Sequence, residues 1–146
     1  GYPILTNPSV VEVATPYSTG LCINTNQANY DGSYSVDEEE CPIGVNREKA
    51  IDVGSLNANP WGLHDLYGNV WEWVQDCYHD SYQSAPQDGS AWKTDCKTSE
   101  DGTFRYRVLR GGSWYEAPRS LRSASRLDNA SVERFNNVGF RIAITK

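Results

Sequence analysis

The stretch that decides the fold is Asn59-Pro60-Trp61-Gly62-Leu63-His64-Asp65-Leu66-Tyr67-Gly68-Asn69-Val70-Trp71-Glu72-Trp73-Val74. Its first half is rich in Asn, Pro and Gly, which favour turns. After Gly68 the aromatic and branched residues predict a strand over residues 70–74, because the segment is too short for a helix. Trp71 and Trp73 share one face of that strand, and two indoles on one face predict an anchor in the core.

Two carboxylates flank this bend. Glu72 lies between two valines on the face opposite the tryptophans, where a carboxylate is costly unless it is paired or bound to a metal. Asp65 precedes it, and Gly68 and Val70 supply backbone carbonyls between the two acids. Calcium prefers such hard oxygen ligands. The residues leave an alternative open, in which Asp65 caps the turn and Glu72 contacts an arginine or water.

Four segments of the chain resemble motifs of the formylglycine-generating enzyme (sulfatase-modifying factor) domain family. In order, they are Gly62-Leu63-His64-Asp65-Leu66-Tyr67-Gly68-Asn69-Val70-Trp71-Glu72-Trp73, Arg107-Val108-Leu109-Arg110-Gly111-Gly112-Ser113-Trp114, Arg122-Ser123-Ala124-Ser125-Arg126 and Asn136-Asn137-Val138-Gly139-Phe140-Arg141. The resemblance implies an α+β, C-type-lectin-like fold with little regular secondary structure. It also implies that residues 1–146 are the C-terminal portion of one such domain, with residues 1–20 as an extended lead-in.

The resemblance implies calcium as the cofactor at two sites. The ligands of the first site would be the positions Asp65, Gly68, Val70 and Glu72, with the glycine and valine contributing carbonyl oxygens. A second site would begin with the Asn29 side chain and the Tyr30 carbonyl. Its next ligand in the family is an acid, for which Val45 and Asn46 stand near the corresponding position.

The cysteine count predicts two disulfides. Cys22 with Cys41, and Cys77 with Cys96, each enclose 18 residues, and a disulfide closing such a loop contributes about 3 kcal/mol. Three pairings are possible, and the sequential one is our prediction. Disulfides indicate an oxidising compartment, so we expect a secreted, periplasmic or cell-surface protein. The alternative is a cytosolic protein with four buried thiols.

Charge is distributed unevenly along the chain. Residues 1–104 carry 4 Lys/Arg and 16 Asp/Glu, a net −12, whereas residues 105–146 carry 9 and 3, a net +6. A basic segment can bind nucleic acid. Here its arginines lie in the motifs that resemble the family, and the acidic part of the chain can pair with them. We therefore expect no nucleic-acid partner, and no apolar run is long enough to span a membrane.

Further elements follow from local patterns. Residues 10–13 suggest an edge strand, and the acid run at 37–40 suggests a solvated loop. Residues 105–109 alternate charged with apolar side chains and predict a strand. Arginines at 119, 122 and 126, spaced by three and four, predict a short helix or an extended arginine ladder over residues 120–127. The last strand is predicted over 138–144, with Val138, Phe140, Ile142 and Ile144 on one face.

The resemblance separates two classes of function. Formylglycine-generating members hold copper with two cysteines after Gly-Gly-Ser, but residues 111–122 contain no cysteine here, and thiolates are what selects Cu(I). We therefore expect no catalytic residues and a binding module for a protein or glycan, with the missing N-terminal half or another chain as a further partner. The alternative is a fragment of an enzyme such as a sulfoxide synthase or tailoring oxidase. The expected ligand-binding residues are Trp114, Tyr115, Glu116, Arg119, Arg122, Arg126 and Asn137.

Overall fold

The computed structural model describes residues 15–35 and 41–144. Within them, regular secondary structure is limited to four short strands and one 3₁₀ helix. These elements are β1 (Trp71–Cys77), β2 (Tyr106–Arg110), the 3₁₀ helix (Pro118–Leu121), β3 (Leu127–Ala130) and β4 (Val138–Gly139). The expected low content of regular structure is confirmed, and the helical part of the expected α+β class is confined to one 3₁₀ turn of the described residues.

The four strands form one sheet in the order β3-β2-β1-β4. β1 and β2 are antiparallel, with Glu72 opposite Arg110, and an irregularity interrupts the pairing between Trp73 and Cys77. β3 adds to β2 in antiparallel fashion, whereas β4 pairs with β1 in parallel over two residues. The central strand is therefore the tryptophan-bearing segment that follows the bend.

A small core cluster is built around two buried tyrosines, and the 3₁₀ helix contributes one of its members. It contains Tyr17, Ile23, Ala28, Tyr30 and Leu121. The two tyrosines bury their rings and still satisfy their hydroxyl groups, because Tyr17 donates to the Pro118 carbonyl at 2.8 Å and Tyr30 to the Ile23 carbonyl at 2.9 Å. Such bonds allow amphipathic aromatic side chains to replace aliphatic ones in an irregular core.

The two disulfides form as predicted. Cys22 pairs with Cys41 and Cys77 with Cys96, with Cα–Cα distances of 5.4 and 5.1 Å. All four cysteines of the chain lie in its described part, and none is free. Each bridge ties a loop of irregular chain to the body of the fold.

The central strands are confirmed with shifted bounds. The strand predicted at 70–74 is β1, which runs on to Cys77, and the strand predicted at 105–109 is β2. Trp71 is buried as expected, with 4% of its surface exposed, whereas Trp73 is half-buried. The helix or ladder predicted over 120–127 is wrong as a single element, because the 3₁₀ helix begins earlier, at Pro118, and ends at Leu121.

The last strand was predicted too long. Regular pairing ends at Gly139, and Phe140, Ile142 and Ile144 are 75%, 83% and 88% exposed. The reason is that β4 pairs with only Trp71 and Glu72 of β1. Alternating hydrophobicity identifies residues that suit a strand, but a strand also requires a neighbour with which to pair.

Some expectations fall outside the described residues. These are the edge strand at 10–13, most of the lead-in at 1–20, and the acid run at 37–40. The described end of the lead-in is a tight turn in which Tyr17 and Gly20 exchange backbone hydrogen bonds. Within residues 15–35 and 41–144, no helix has both the length and the apolar character needed to cross a lipid bilayer.

Candidate functional site

The bend before β1 encloses a cavity that we call the loop cavity. Its volume is about 390 Å³, and all four residues predicted to bind the first calcium line it, together with Arg141. The bend is made by left-handed backbone at Asp65 (φ 53°), Gly68 (φ 73°) and Asn69 (φ 64°). A Cβ on Gly68 would collide with the Asn29 carbonyl oxygen, so this position requires glycine.

Arg141 lies directly against Glu72 in this cavity. Its Nε donates to Glu72 Oε2 at 2.6 Å, and its Nη2 donates to Oε1. The same guanidinium also donates to the carbonyl oxygens of His64 (2.9 Å) and Asp65 (3.0 Å). The hydrogen bond to Glu72 raises the pKa of Arg141 above its ordinary value. The contact with an arginine is the alternative that the sequence left open for Glu72.

The loop cavity also contains the Asp65 carboxylate and the carbonyl oxygens of Gly68 and Val70, which are hard oxygen ligands of the kind that calcium binds. Asp65 Oδ2 accepts a hydrogen bond from the Gly54 amide at 2.7 Å. Among the described residues, no turn, loop or side-chain donor is bonded to the carbonyl oxygens of Gly68 or Val70. An ionised carboxylate offers about four acceptor positions, so Glu72 can contact both a guanidinium and a second cation. The donor set fits calcium, with Arg141 as a competitor, and the calcium assignment stays a prediction.

The second predicted site centres on a buried amide. Asn29 is fully buried, and its Nδ2 donates to the Lys49 carbonyl at 2.9 Å and to Asn69 Oδ1 at 3.1 Å. Its Oδ1 has no hydrogen-bond partner, which is costly for a buried acceptor and leaves this oxygen available as a cation ligand. Within the described residues, no three His, Cys, Asp or Glu side chains cluster together, so a cation beside Asn29 and Tyr30 would depend on amide and carbonyl oxygens.

The predicted ligand-binding residues divide between two neighbouring cavities. The first, which we call the arginine cleft, has a volume of about 430 Å³, and it is lined in part by Glu116, Arg119, Arg122 and Arg126. The second, the tyrosine cavity, has a volume of about 450 Å³ and is lined in part by Asp31, Tyr34, Tyr115, Glu116 and Arg119.

The 3₁₀ helix, residues 118–121, contributes Arg119 and Ser120 to both cavities. Pro118 at its start fixes the backbone for the turn, and buried Leu121 fastens it to the core. Two of the predicted residues line neither cavity. Trp114 packs edge-on against Tyr115, and Asn137 lies near Ser113, with its amide nitrogen 3.4 Å from Ser113 Oγ.

Sequence reasoning missed the two aromatic residues of the arginine cleft. Trp71 and Tyr78 both line it, and Trp71 Nε1 donates to Glu116 Oε1 at 3.2 Å. Trp71 was predicted to anchor the core, and no role was predicted for Tyr78. The available signal was the aromatic composition of β1 and of the segment after it, since large aromatic residues beside arginines are frequent in binding surfaces.

Comparison with known proteins agrees with these motifs. Residues 14–146 match the family profile described as "Sulfatase-modifying factor enzyme 1-like domain". The chain belongs to this family. It is 39% identical over 92 residues to serine/threonine-protein kinase pkn1 of Chlamydia caviae. This alignment covers 62% of this chain and 14% of the kinase. It is 36% identical over 100 residues to inactive C-alpha-formylglycine-generating enzyme 2 of Bos taurus. This second alignment covers 62% of this chain and 26% of that protein.

A solved structure shares the fold. PvdO from Pseudomonas aeruginosa superposes with a TM-score of 0.59 at 30% identity, over 80% of this chain and 49% of that one. The chain therefore spans about half of that structure and smaller fractions of the curated relatives named above. The activities of those whole proteins are not properties of this chain by similarity alone.

Proposed function

We propose that this chain is a non-catalytic, calcium-braced module of the sulfatase-modifying factor family, with a C-type-lectin-like fold. In this proposal the loop cavity holds a structural calcium ion, and the surface around the 3₁₀ helix binds a protein or glycan. The two disulfides support a secreted, periplasmic or cell-surface location, where such bridges persist.

One observation carries the non-catalytic part of the proposal. All four cysteines are consumed in disulfides, and none belongs to the segment after Gly111-Gly112-Ser113. That segment contributes Glu116, which is bonded to Trp71, and Leu121, which is fully buried in the core. Neither side chain is the soft thiolate that selects Cu(I). A relative named as an inactive formylglycine-generating enzyme is consistent with loss of the chemistry in this family.

The proposed calcium ion would be held by Asp65, Glu72 and the carbonyl oxygens of Gly68 and Val70. Its contribution would be structural, because it would join the two ends of the bend that precedes β1. The bend is connected to the cleft through β1, since Trp71 follows Val70 directly and contacts Glu116. Calcium at the loop cavity would thereby stabilise the position of one wall of the arginine cleft.

The proposal is tested by calorimetric melting with calcium and with a chelator. Calcium sites of extracellular modules have Kd values of about 10⁻⁴–10⁻³ M. At 100-fold excess over Kd, calcium stabilises by about 2.7 kcal/mol, which corresponds to roughly 5–10 °C in Tm for a chain of this size. Glu72→Gln should abolish this increase. Glu100→Gln, an exposed acid outside the cavity, should retain it.

Two results would overturn the calcium brace. One is a wild-type Tm that is the same in calcium and in chelator. The other is a calcium-dependent increase of equal size in wild type and Glu72→Gln. Magnesium at the same concentration controls for ionic strength, since the smaller ion demands octahedral geometry and retains its water more strongly.

A further inference from the structure

The arginine cleft concentrates positive charge on an acidic chain. Arg119, Arg122 and Arg126 line it, and Glu116 is its single carboxylate, so its lining carries a net charge of +2 in a chain with a net charge of −6. Like charges in one cavity repel one another, and they are retained at a cost unless an anion offsets them. This inference rests on the proposed binding function and names the chemistry of the ligand.

Among the described residues, no ion pair neutralises the arginines of the cleft. Across residues 15–35 and 41–144, ion pairs join Lys97 to Asp128 and Glu72 to Arg141, so none of the three cleft arginines has a carboxylate partner there. Glu116 uses Oε1 to accept a hydrogen bond from Trp71.

Arg122 and Arg126 are also held in place by contacts that leave much of their hydrogen-bonding capacity free, whereas the Arg119 side chain is exposed. The Arg126 guanidinium lies over two rings, 5.2 Å from the centre of Tyr78 and 4.4 Å from that of Tyr82, and its Nη1 donates to the His79 carbonyl. Arg122 donates from Nε to the Arg119 carbonyl at 2.9 Å. In the described part of the chain, no other hydrogen bond involves the guanidinium nitrogens of Arg119 or Arg122.

Preorganised guanidinium groups recognise a particular chemistry. The planar fork of arginine matches two oxygens of a carboxylate or phosphate, and the resulting bonds are about twice as strong as neutral ones. Half-buried Tyr78 adds aromatic surface to the same cavity, which suits the apolar part of an organic ligand better than a free inorganic ion.

We propose that the arginine cleft binds an oxyanion group, a carboxylate or a phosphate, presented on a peptide segment. Arg119 and Arg122 supply the free hydrogen-bond donors, and Arg126, fixed between Tyr78 and Tyr82, supplies the third charge. The cleft has room for one side chain and its neighbours rather than for an extended polymer, at about 430 Å³.

The test compares three synthetic hexapeptides that differ at one central residue, which is glutamate, phosphoserine or glutamine. Calorimetric titration at low salt, with calcium present, should give a Kd about tenfold lower for an anionic peptide than for the glutamine peptide. The better of the two anionic peptides identifies the source of the oxyanion. Arg122→Gln should remove most of this selectivity.

The controls separate local recognition from net charge. Arg134→Gln makes the same change in net charge at an exposed position outside the cleft and should alter Kd less than about twofold. Arg122→Lys keeps the charge but loses the fork, and it should give an intermediate Kd. Melting temperatures of all variants verify that each one is folded.

Two outcomes would overturn the inference. They are equal Kd values for the three peptides, and an equal loss of selectivity in Arg134→Gln and Arg122→Gln. Calcium-dependent melting in the same samples keeps the two proposals distinguishable. Charge-selective binding without any calcium effect would overturn the calcium brace alone, whereas a calcium effect without charge selectivity would overturn the oxyanion site alone.

Discussion

The carboxylate of Glu72 is held at two points by the guanidinium group of Arg141, with Arg141 Nε 2.6 Å from Glu72 Oε2. The two side chains are 69 residues apart in sequence and are 20% and 38% exposed, respectively. Arg141 therefore connects the chain after β4 to the bend before β1, and it occupies part of the coordination capacity that calcium would use. In the proposed calcium site, the ion would compete with Arg141 for oxygens of this carboxylate.

The first prediction concerns this competition. Arg141→Gln should lower stability in chelator by about 1 kcal/mol, because a partly exposed ion pair is lost. The same variant should bind calcium more tightly, on the order of tenfold, because a fixed positive charge leaves the site. Titration calorimetry measures the affinity, with Arg134→Gln as the control of equal charge. Unchanged or weaker calcium binding in Arg141→Gln would contradict the competition.

The second prediction concerns Gly68. Its φ of 73° is unfavourable for other residues, and an added Cβ would collide with the Asn29 carbonyl. Gly68→Ala should destabilise the protein by about 2–4 kcal/mol, from backbone strain and steric overlap together. Urea unfolding measures the loss. Gly89→Ala is the matched control, because Gly89 has a φ of 78° and no atom within 4 Å of an added Cβ. Equal losses in the two variants would contradict the close approach to Asn29.

The third prediction uses the two disulfides as internal controls for one another. Both bridges have a sequence separation of 19, so replacing either pair by serine should cost a similar amount, about 3 kcal/mol. Denaturant unfolding of the two double-serine variants tests this equality. Alkylation and mass spectrometry of native protein should find no free thiol, and detection of one would contradict the pairing.

The fourth prediction concerns high pH. Burial, together with the nearby Tyr17, raises the pKa of Tyr30 from 10.0 to about 12. Its neutral form is favoured in the folded state, so this contribution to stability is complete below pH 10 and is lost as the pH rises towards 12. Phenolate absorbance should show a late-titrating tyrosine that is absent from Tyr30→Phe. If all the tyrosines of wild type titrate together near pH 10 while the protein remains folded, the burial of Tyr30 is contradicted.

The local chemistry of the chain could be predicted where neighbours in sequence determine it. The strand after Gly68, the turn before it and the sequential disulfide pairs depend on nearby residues. β3 could not be predicted in this way, because Leu127-Asp128-Asn129-Ala130 has no branched or aromatic pattern and forms a strand by pairing with β2. The end of β4 was misjudged because its pairing with β1 extends over only two residues.

In the candidate site, too, features set by neighbouring residues could be predicted, whereas features set by distant residues could not. The set Asp65, Gly68, Val70 and Glu72 was assigned from one short segment, and it does line a single cavity. Arg141 is distant in sequence, so local spacing gave no indication that its side chain would bind Glu72. The predicted residues Arg119, Arg122 and Arg126 line one cavity, but the aromatic residues that contact Arg126, Tyr78 and Tyr82, come from the segment after β1. Long-range contacts of this kind depend on the tertiary fold.

The most direct measurement is anomalous X-ray diffraction from crystals of this chain grown in calcium. The account predicts an anomalous peak in the loop cavity within about 2.3–2.6 Å of oxygens from Asp65, Gly68, Val70 and Glu72. It also predicts that Arg141 releases at least one oxygen of Glu72 when the ion is bound. A cavity without a peak, in which Arg141 still contacts both oxygens of Glu72 at saturating calcium, would contradict the calcium brace.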